Sequence, residues 1–341
     1  MRIGYNPLRN ELHQPSDCIH QVIIPVYIPN AEGYFKDGLK ILDYCLQSLF
    51  KTAHTKTFIT IVNNGSSPEV ASYLDRLLQQ HQIDELIHTI NCGKLNAVLK
   101  GLSGNSFPLV TVADSDVLFL NNWQQETYRV FDAFPKAGAV CPTPSSKSYK
   151  TYTHNIWFEL FFSKSLYFTK VKNPQALQAF ADSIGNPNFY NQTHKELYLT
   201  VTNNTKNTTA VAGAGHFLVT YKNDVFEKLP VKYSNFKLGG DSEKKLLDLP
   251  VVKNGLWRLS TQDNFAYHMG NTYEDWMADV FSEIHDDLSE PEFFPNYEKI
   301  KISRLGFLIR YKIFAKLMGN KKIMQQFLIR KGLPRATAKN Y

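Results

Sequence analysis

Residues 106–123 read SFPLVTVADSDVLFLNNW, and the fold turns on how that stretch breaks. Leu109 to Ala113 is a short, apolar, β-branched run, the pattern of a strand buried on both faces. Two carboxylates, Asp114 and Asp116, arrive where the run ends, separated by the small Ser115. In an open α/β sheet, ligands bind just beyond the carboxyl ends of the strands. Acids so spaced suit a hard divalent cation such as Mg²⁺: one reaches the ion, the other holds a ligand hydroxyl, and phosphate oxygens fill the shell. The same acids also serve to cap the turn into a helix expected from near Asn121. On the triplet alone, both readings stand.

Working outward, the chain alternates. Upstream, Val22 to Val26 reads as a strand stopped by Pro25 and Pro29, and Leu39, Leu42, Cys45, Leu46 and Leu49 form a helical stripe after it. A second strand, Phe58 to Val62, ends in the turn Asn63-Asn64-Gly65-Ser66. A helix from Glu69 to Gln80 and a weaker strand from Leu86 to Ile90 follow, and Cys92-Gly93-Lys94 opens a third helix running to about Leu102. This alternation predicts an α/β fold: a doubly wound, mostly parallel sheet with a nucleotide-type site along one edge. Downstream the pattern loosens. The expectations there are a helix over 121–134, a strand from Ala137 to Cys141, a loop over 142–153, and an aromatic-rich, mostly helical section from Asn155 to Lys206. The run TNNTKNTT then reads as an exposed loop, and VAGAGHFLVTY as a glycine-rich turn into a strand. Asp241 to Leu249 reads as a short helix, and Trp257 to Leu259 and Phe265 to His268 as short strands.

With 43% hydrophobic and 20% charged residues in 341, the composition is globular and excludes wholesale disorder. That length accommodates one large domain or two ordinary ones. The opening MRIGYNPLRNELHQ lacks an apolar core of the signal-peptide kind, and no stretch approaches the roughly 18 apolar residues that span a bilayer. Cys18, Cys45, Cys92 and Cys141 are scattered, which favours reduced thiols in a cytoplasmic protein over a zinc site or disulfide framework. The net charge of +7 is uneven: eleven Lys and Arg and no acid lie between Lys301 and Tyr341, leaving 27 basic against 31 acidic residues elsewhere. That tail reads as two amphipathic helices, Ile302 to Leu317 and Lys321 to Lys331. It either docks its apolar stripe on the domain or lies peripherally on an anionic inner membrane face. Basic residues confined to one terminal segment do not predict a nucleic-acid partner.

The order VIIPVY, IVNNGSS, NCGKLNAVLKGL, VTVADSDVLF, a glycine-rich strand and GGDSE resembles the family 2 glycosyltransferases of the GT-A fold, over about residues 20–270. The resemblance implies a GT-A domain over 1–300, with a nucleotide-binding half at about 20–120 and an acceptor half at about 121–300, followed by the basic tail of 301–341. It implies an inverting, Mn²⁺- or Mg²⁺-dependent transfer from a nucleoside-diphosphate sugar, UDP-sugar favoured. The acceptor would be a saccharide or lipid-linked saccharide, as in cell-surface polysaccharide synthesis.

Residue by residue, the resemblance places the base against Pro25, Val26 and Tyr27. Tyr27 either stacks on the base or packs against the first helix. Asn63 stands where the family usually has an aspartate. Gly93 and Lys94 fall beside the diphosphate. Asp116 becomes a direct metal ligand, Asp114 and Ser115 lie nearer the ribose or a metal-bound water, and His268 completes the metal shell. Gly213 and Gly215 match the wall beside the donor sugar, although the arginines frequent there are missing. Asp241 matches the general base. The family often writes Glu-Asp at that point, whereas here Gly240 precedes Asp241 and Glu243 follows, so both acids remain in play. The acceptor pocket is expected from residues 142–206 and the aromatics around Trp257 and Trp276. Two other readings compete: a nucleotidyltransferase making nucleotide sugars, and a non-catalytic binding protein with a cationic membrane-associating tail. The first strand lacks the Gly-rich, basic phosphate loop that the former needs.

Overall fold

The computed structural model describes residues 4–6, 8–12, 16–227, 229, 232–290, 294–295 and 303–341. Its first half obeys the alternation. Strands β1 (His20–Val26), β2 (Thr57–Asn64), β3 (Glu85–Thr89) and β4 (Leu109–Ala113) pair in parallel, in the order β3-β2-β1-β4. They are linked by helices α1 (Gly38–Thr52), α2 (Pro68–Gln79) and α3 (Lys94–Leu102). Helix α1 buries Ile41, Leu42, Cys45, Leu46 and Leu49, residues three and four apart that form one face against the sheet. Helix α2 starts where Ser67 caps the Val70 amide and Pro68 takes the first helical position.

After β4 the chain makes a short strand β5 (Val117–Phe119), helix α4 (Trp123–Ala133) and β6 (Ala137–Cys141). The section from Asn155 to Lys206, expected to be mostly helical, departs from that expectation. It holds the short helices α5 (His154–Glu159), α6 (Pro174–Ser183) and α7 (Gln192–Glu196), but also the strands β7 (Leu166–Lys170) and β8 (Leu197–Asn203). Both strands are rich in aromatic and β-branched residues, and Tyr198, Leu199 and Val201 of β8 are buried where it pairs with β7. Of the expected loop TNNTKNTT, only 204–207 form the tip of a hairpin; its ends belong to β8 and to β9 (Thr208–Ala212), where Thr202 pairs with Thr209. Strand β10 (Leu218–Lys222) inserts antiparallel beside β4, helix α8 (Leu249–Lys253) precedes β11 (Trp257–Ser260), and the full order is β3-β2-β1-β4-β10-β6-β11-β9-β8-β7.

Two features position the site. Strand β12 (Ala266–His268) pairs antiparallel with β5, setting His268 opposite Val117 and so beside Asp116. The Met269 amide donates to the Asp116 carbonyl at 2.8 Å, fixing the register of that ribbon. The second feature is a buried polar seam where the parallel and antiparallel parts meet. The His20 ring contacts Tyr128 Oη and Thr111 Oγ1, each at 2.6 Å, and Thr111 reaches Thr220 on β10 at 2.6 Å.

Past helix α9 (Asp275–Glu283), the tail forms α10 (Arg304–Leu308), a wide helical turn over Ile309–Phe314, α11 (Ala315–Met318) and α12 (Lys321–Arg330). Ile302, where the sequence starts the first tail helix, lies outside the described residues, as does the 300/301 boundary. Phe327 and Leu328 of α12 are buried in one core cluster with Trp157, Tyr149 and Leu199. Leu305, Leu308, Ile313 and Leu317 of the first tail segment stay exposed. All four cysteines are free thiols. No described helix is long and apolar enough to cross a membrane.

Candidate active site

The sheet's carboxyl edge opens into two adjoining cavities. One, of 820 Å³, is lined by Pro25, Tyr27, Asn64, Asn91, Ser115 and Asp116 among others. The other, of 360 Å³, lies among Thr143, Ser148, Phe180, Tyr190, His216 and Glu243. Lys94, Asp114, Ile184 and His268 line both and form the partition. Each volume is within the range that encloses a small ligand.

Lys94, at the start of α3, stands 2.6 Å from Asp114 Oδ1 and 2.8 Å from Glu243 Oε1. Burial works to lower its ammonium's pKa, but the two carboxylates more than reverse this and raise it. For Glu243, burial favours the neutral acid, yet Lys94, and then His216, hold it below the ordinary glutamate value. Asp116 is pushed above the usual carboxylate range by burial first. Its neighbour Asp114 adds to this, while His268 and Lys94 pull the other way.

His268 Nε2 faces Asp116 Oδ2 at 3.4 Å, and its other ring nitrogen lies 2.9 Å from Ser183 Oγ. Asp116 Oδ1 is buried with no hydrogen-bond partner. An orphan carboxylate oxygen beside an imidazole whose far nitrogen is already fixed fits a divalent cation. Among the described residues no three His, Cys, Asp or Glu converge on one point. The remaining ligands to a hard cation would therefore be water and phosphate oxygens.

The other predicted residues distribute unevenly. Pro25, Tyr27 and Ser115 line the larger cavity, whereas Val26 is wholly buried in the core. Tyr27 is partly exposed and meets Phe35 edge-on at 5.8 Å. Asn63 turns away: its side chain contacts His88 Nδ1 at 2.9 Å and accepts from the Ser66 amide. Asn64 takes the cavity-facing place and accepts from the Cys92 amide at 2.9 Å.

Gly93 has a φ of 91°, and a Cβ there would lie 2.8 Å from Lys237 Cα. The close approach it permits is thus made by the chain itself, and the Lys94 amide donates to the Lys237 carbonyl at 2.9 Å. Gly213 sits under the Ser148 carbonyl, where a side chain would collide. Gly215 lines the smaller cavity. Asp241 projects into solvent from a turn, paired with Lys244 at 3.0 Å, a bond that lowers its pKa. It lines neither cavity, while Glu243 lines the smaller one. Of the aromatics expected at the acceptor pocket, Trp257 and Trp276 line neither cavity.

Asn64, Asn91 and His216 went unmarked in the sequence. For Asn64 the signal was available: a strand that runs to Asn64 instead of Val62 sends successive side chains to opposite faces.

Acids at a strand's carboxyl end beside a basic helix start, on a sheet flanked by helices, give the α/β architecture of the GT-A kind. Residues 22–215, more than half of the chain, match the family model described as Glycosyl transferase family 2, and the chain belongs to that family. Solved structures similar to it include the mannosyltransferase PcManGT from Pyrobaculum calidifontis in complex with GDP-Man and Mn²⁺. That match has 14% identity over 95% of this chain and 70% of the other, with a TM-score of 0.39. S. aureus TarS 1–349 with UDP-GlcNAc matches at 12% identity over 94% and 69%, TM-score 0.44. The same protein with UDP matches at 14% identity and TM-score 0.31 over 38% of this chain, which spans only 39% of that one. No curated protein matches the chain.

Proposed function

We propose that this glycosyltransferase moves a sugar from a nucleoside-diphosphate donor, a UDP-sugar by preference, to a hydroxyl of a saccharide or lipid-linked saccharide. The observation that carries this reading is the shared partition. A nucleotide-sized cavity and a smaller polar-aromatic one meet at Lys94, Asp114 and His268, so a donor and an acceptor placed in them would touch only there.

On this reading residues 20–120 supply most of the donor side, joined there by His268, and 121–300 supply the acceptor side. Tyr27 offers its exposed ring to the base, with Pro25 beneath it and Asn64 beside it. Asp114 and Ser115 face the ribose and sugar, and Lys94 sets a positive charge beside the diphosphate. Asp116 and His268 would hold Mn²⁺ or Mg²⁺, which when bound neutralises charge on the departing nucleoside diphosphate. Gly215 and the aromatic rings of Phe180 and Tyr190 shape the acceptor side, where Glu243 is the carboxylate facing the incoming hydroxyl. Asp241, the base implied by the resemblance, stands outside this wall.

The tail extends the proposal. Exposed Leu305, Leu308, Ile313 and Leu317 alternate with Lys312 and Lys316 on a segment without acids, a surface suited to an anionic membrane face on which a lipid-linked acceptor would be presented.

The test is thermal unfolding with a panel of nucleotide sugars, with and without Mn²⁺. A donor at about a hundredfold its Kd should stabilise the protein by about 2.7 kcal/mol, a rise of a few degrees. Asp116→Ala should remove the Mn²⁺-dependent part. A panel in which nothing shifts the wild type, or an Asp116→Ala shift equal to it, would refute the assignment.

A further inference from the structure

The wall beside Glu243 carries a group that the proposed roles leave unused. His216 lines the smaller cavity, and its Nε2 stands 2.8 Å from Asp248 Oδ2. Asp248 is wholly buried, and its other oxygen lies 2.8 Å from Nη2 of Arg258, also wholly buried. Arg258 is fixed in turn, donating to the carbonyls of Thr151 at 2.9 Å and Ala214 at 2.8 Å. A carboxylate paired with a guanidinium accepts and does not donate, so Nε2 carries a proton, and in the neutral imidazole Nδ1 presents its lone pair. That lone pair faces Glu243 Oε2 across 3.8 Å. Two acceptors at that spacing do not bond to each other. They leave a place for a donor, and a substrate hydroxyl is one.

We propose that His216 is the proton acceptor for the incoming hydroxyl, with Asp248 and Arg258 as positioning residues; this rests on the glycosyl-transfer reading above. The hydroxyl proton moves to Nδ1 as the oxygen's electron pair bonds the anomeric carbon. The bond from that carbon to the donor phosphate oxygen breaks, and its electrons leave with the nucleoside diphosphate. The imidazolium then lies between the carboxylates of Asp248 and Glu243 and gives its proton to water once the product departs. Glu243 alone is the weaker acceptor, because its carboxylate is already tied to Lys94 at 2.8 Å. The arrangement has the logic of a hydroxyl, a histidine and an orienting acid held in line.

Water can stand in for the acceptor, so the test needs no knowledge of it. Nucleoside diphosphate release from UDP- and GDP-linked hexoses is followed on the full chain with Mn²⁺. His216→Ala should lower kcat by about 10²–10⁴-fold, with the donor's KM and thermal shift unchanged, and added imidazole should restore part of the rate. Asp248→Asn gives Nε2 a group that can donate and so favours the wrong tautomer. It should lower kcat by itself and add nothing to His216→Ala. If that buried variant does not fold, His216→Ala decides alone. A His216→Ala kcat within about twofold of wild type, or a loss that imidazole leaves untouched, overturns the proposal. A wild type that neither shifts with nor cleaves any donor brings down the transfer reading itself, and this inference with it.

Discussion

The two walls of the site are built in opposite ways. On the donor side, site residues sit at or just beyond the ends of parallel strands: Pro25 in β1, Asn64 closing β2, Asp114 after β4. On the acceptor side they come from turns and short elements scattered between Thr143 and His268, brought together by antiparallel pairing. A parallel strand presents its terminal residue to the same edge wherever it stands in the order, so position in the chain nearly dictates position in space. A turn between antiparallel strands goes where its packing takes it.

That difference makes the buried polar seam that joins the parallel and antiparallel halves the place to break the comparison first. His20 and His54 both contact Tyr128, at 2.6 and 2.7 Å, and Gln124 reaches His20 at 2.9 Å, tying β1 to α4. Burial, and then the nearby His54, hold His20 well below its ordinary 6.5, and burial lowers His54 to about 4. The unfolded chain therefore takes up protons near pH 6.5 that the native chain refuses, at His54 until about pH 4. The stability these histidines contribute is complete above pH 6.5 and is lost as pH falls from there toward 4, by about 3 kcal/mol for His54 alone. Urea midpoints across that window should slide downward, and His54→Gln should flatten the slide. An identical slope in the variant would mean that the seam is not what holds the two halves together in acid.

The second way sharpens the acceptor wall. Glu243→Gln should reduce kcat by about 10²-fold with nucleotide binding retained, since it removes a charge that stabilises the reacting end. Asp241→Asn, on the exposed turn, should leave kcat nearly unchanged. Steady-state rates of donor cleavage rank them. The reverse order would put the reacting carboxylate on the turn and would mean that this turn folds inward when substrate binds.

How much was legible follows the same line. The β-branched run before Asp114-Ser115-Asp116 marked a strand end, and Gly93-Lys94 marked a helix start, because both are local signals. Asn63 and Asn64 were confused because one residue of strand length reverses which side chain faces the cavity. The strands β7 and β8 were hidden by aromatic residues that suit a helix or a sheet equally. Nothing local connects His216 with Asp248 and Arg258. They lie in a turn, a wide helical turn over Lys244–Asp248 and a strand, and only the completed antiparallel half brings His216 and Arg258 each within 2.8 Å of Asp248. In GAGH the glycines drew the reading, while the histidine after them did the facing.

The smallest expected effect concerns the tail, which divides as the site does. Its α12 half is committed to the core: Phe327 packs on Trp157 with ring centroids 5.6 Å apart. The α10–α11 half keeps Leu308 and Ile313 exposed. Residues that bury little contribute little to folding, so Leu308→Ser with Ile313→Ser should shift the unfolding free energy by no more than about 0.5 kcal/mol. If the exposed leucines instead serve a surface outside the protein, the same pair should weaken co-sedimentation with anionic vesicles and leave neutral vesicles unaffected, because the lysines act only where the lipid is charged. A large loss of stability would show that this face is already covered within the fold. Unchanged vesicle binding would confine the tail's role to the packing of α12.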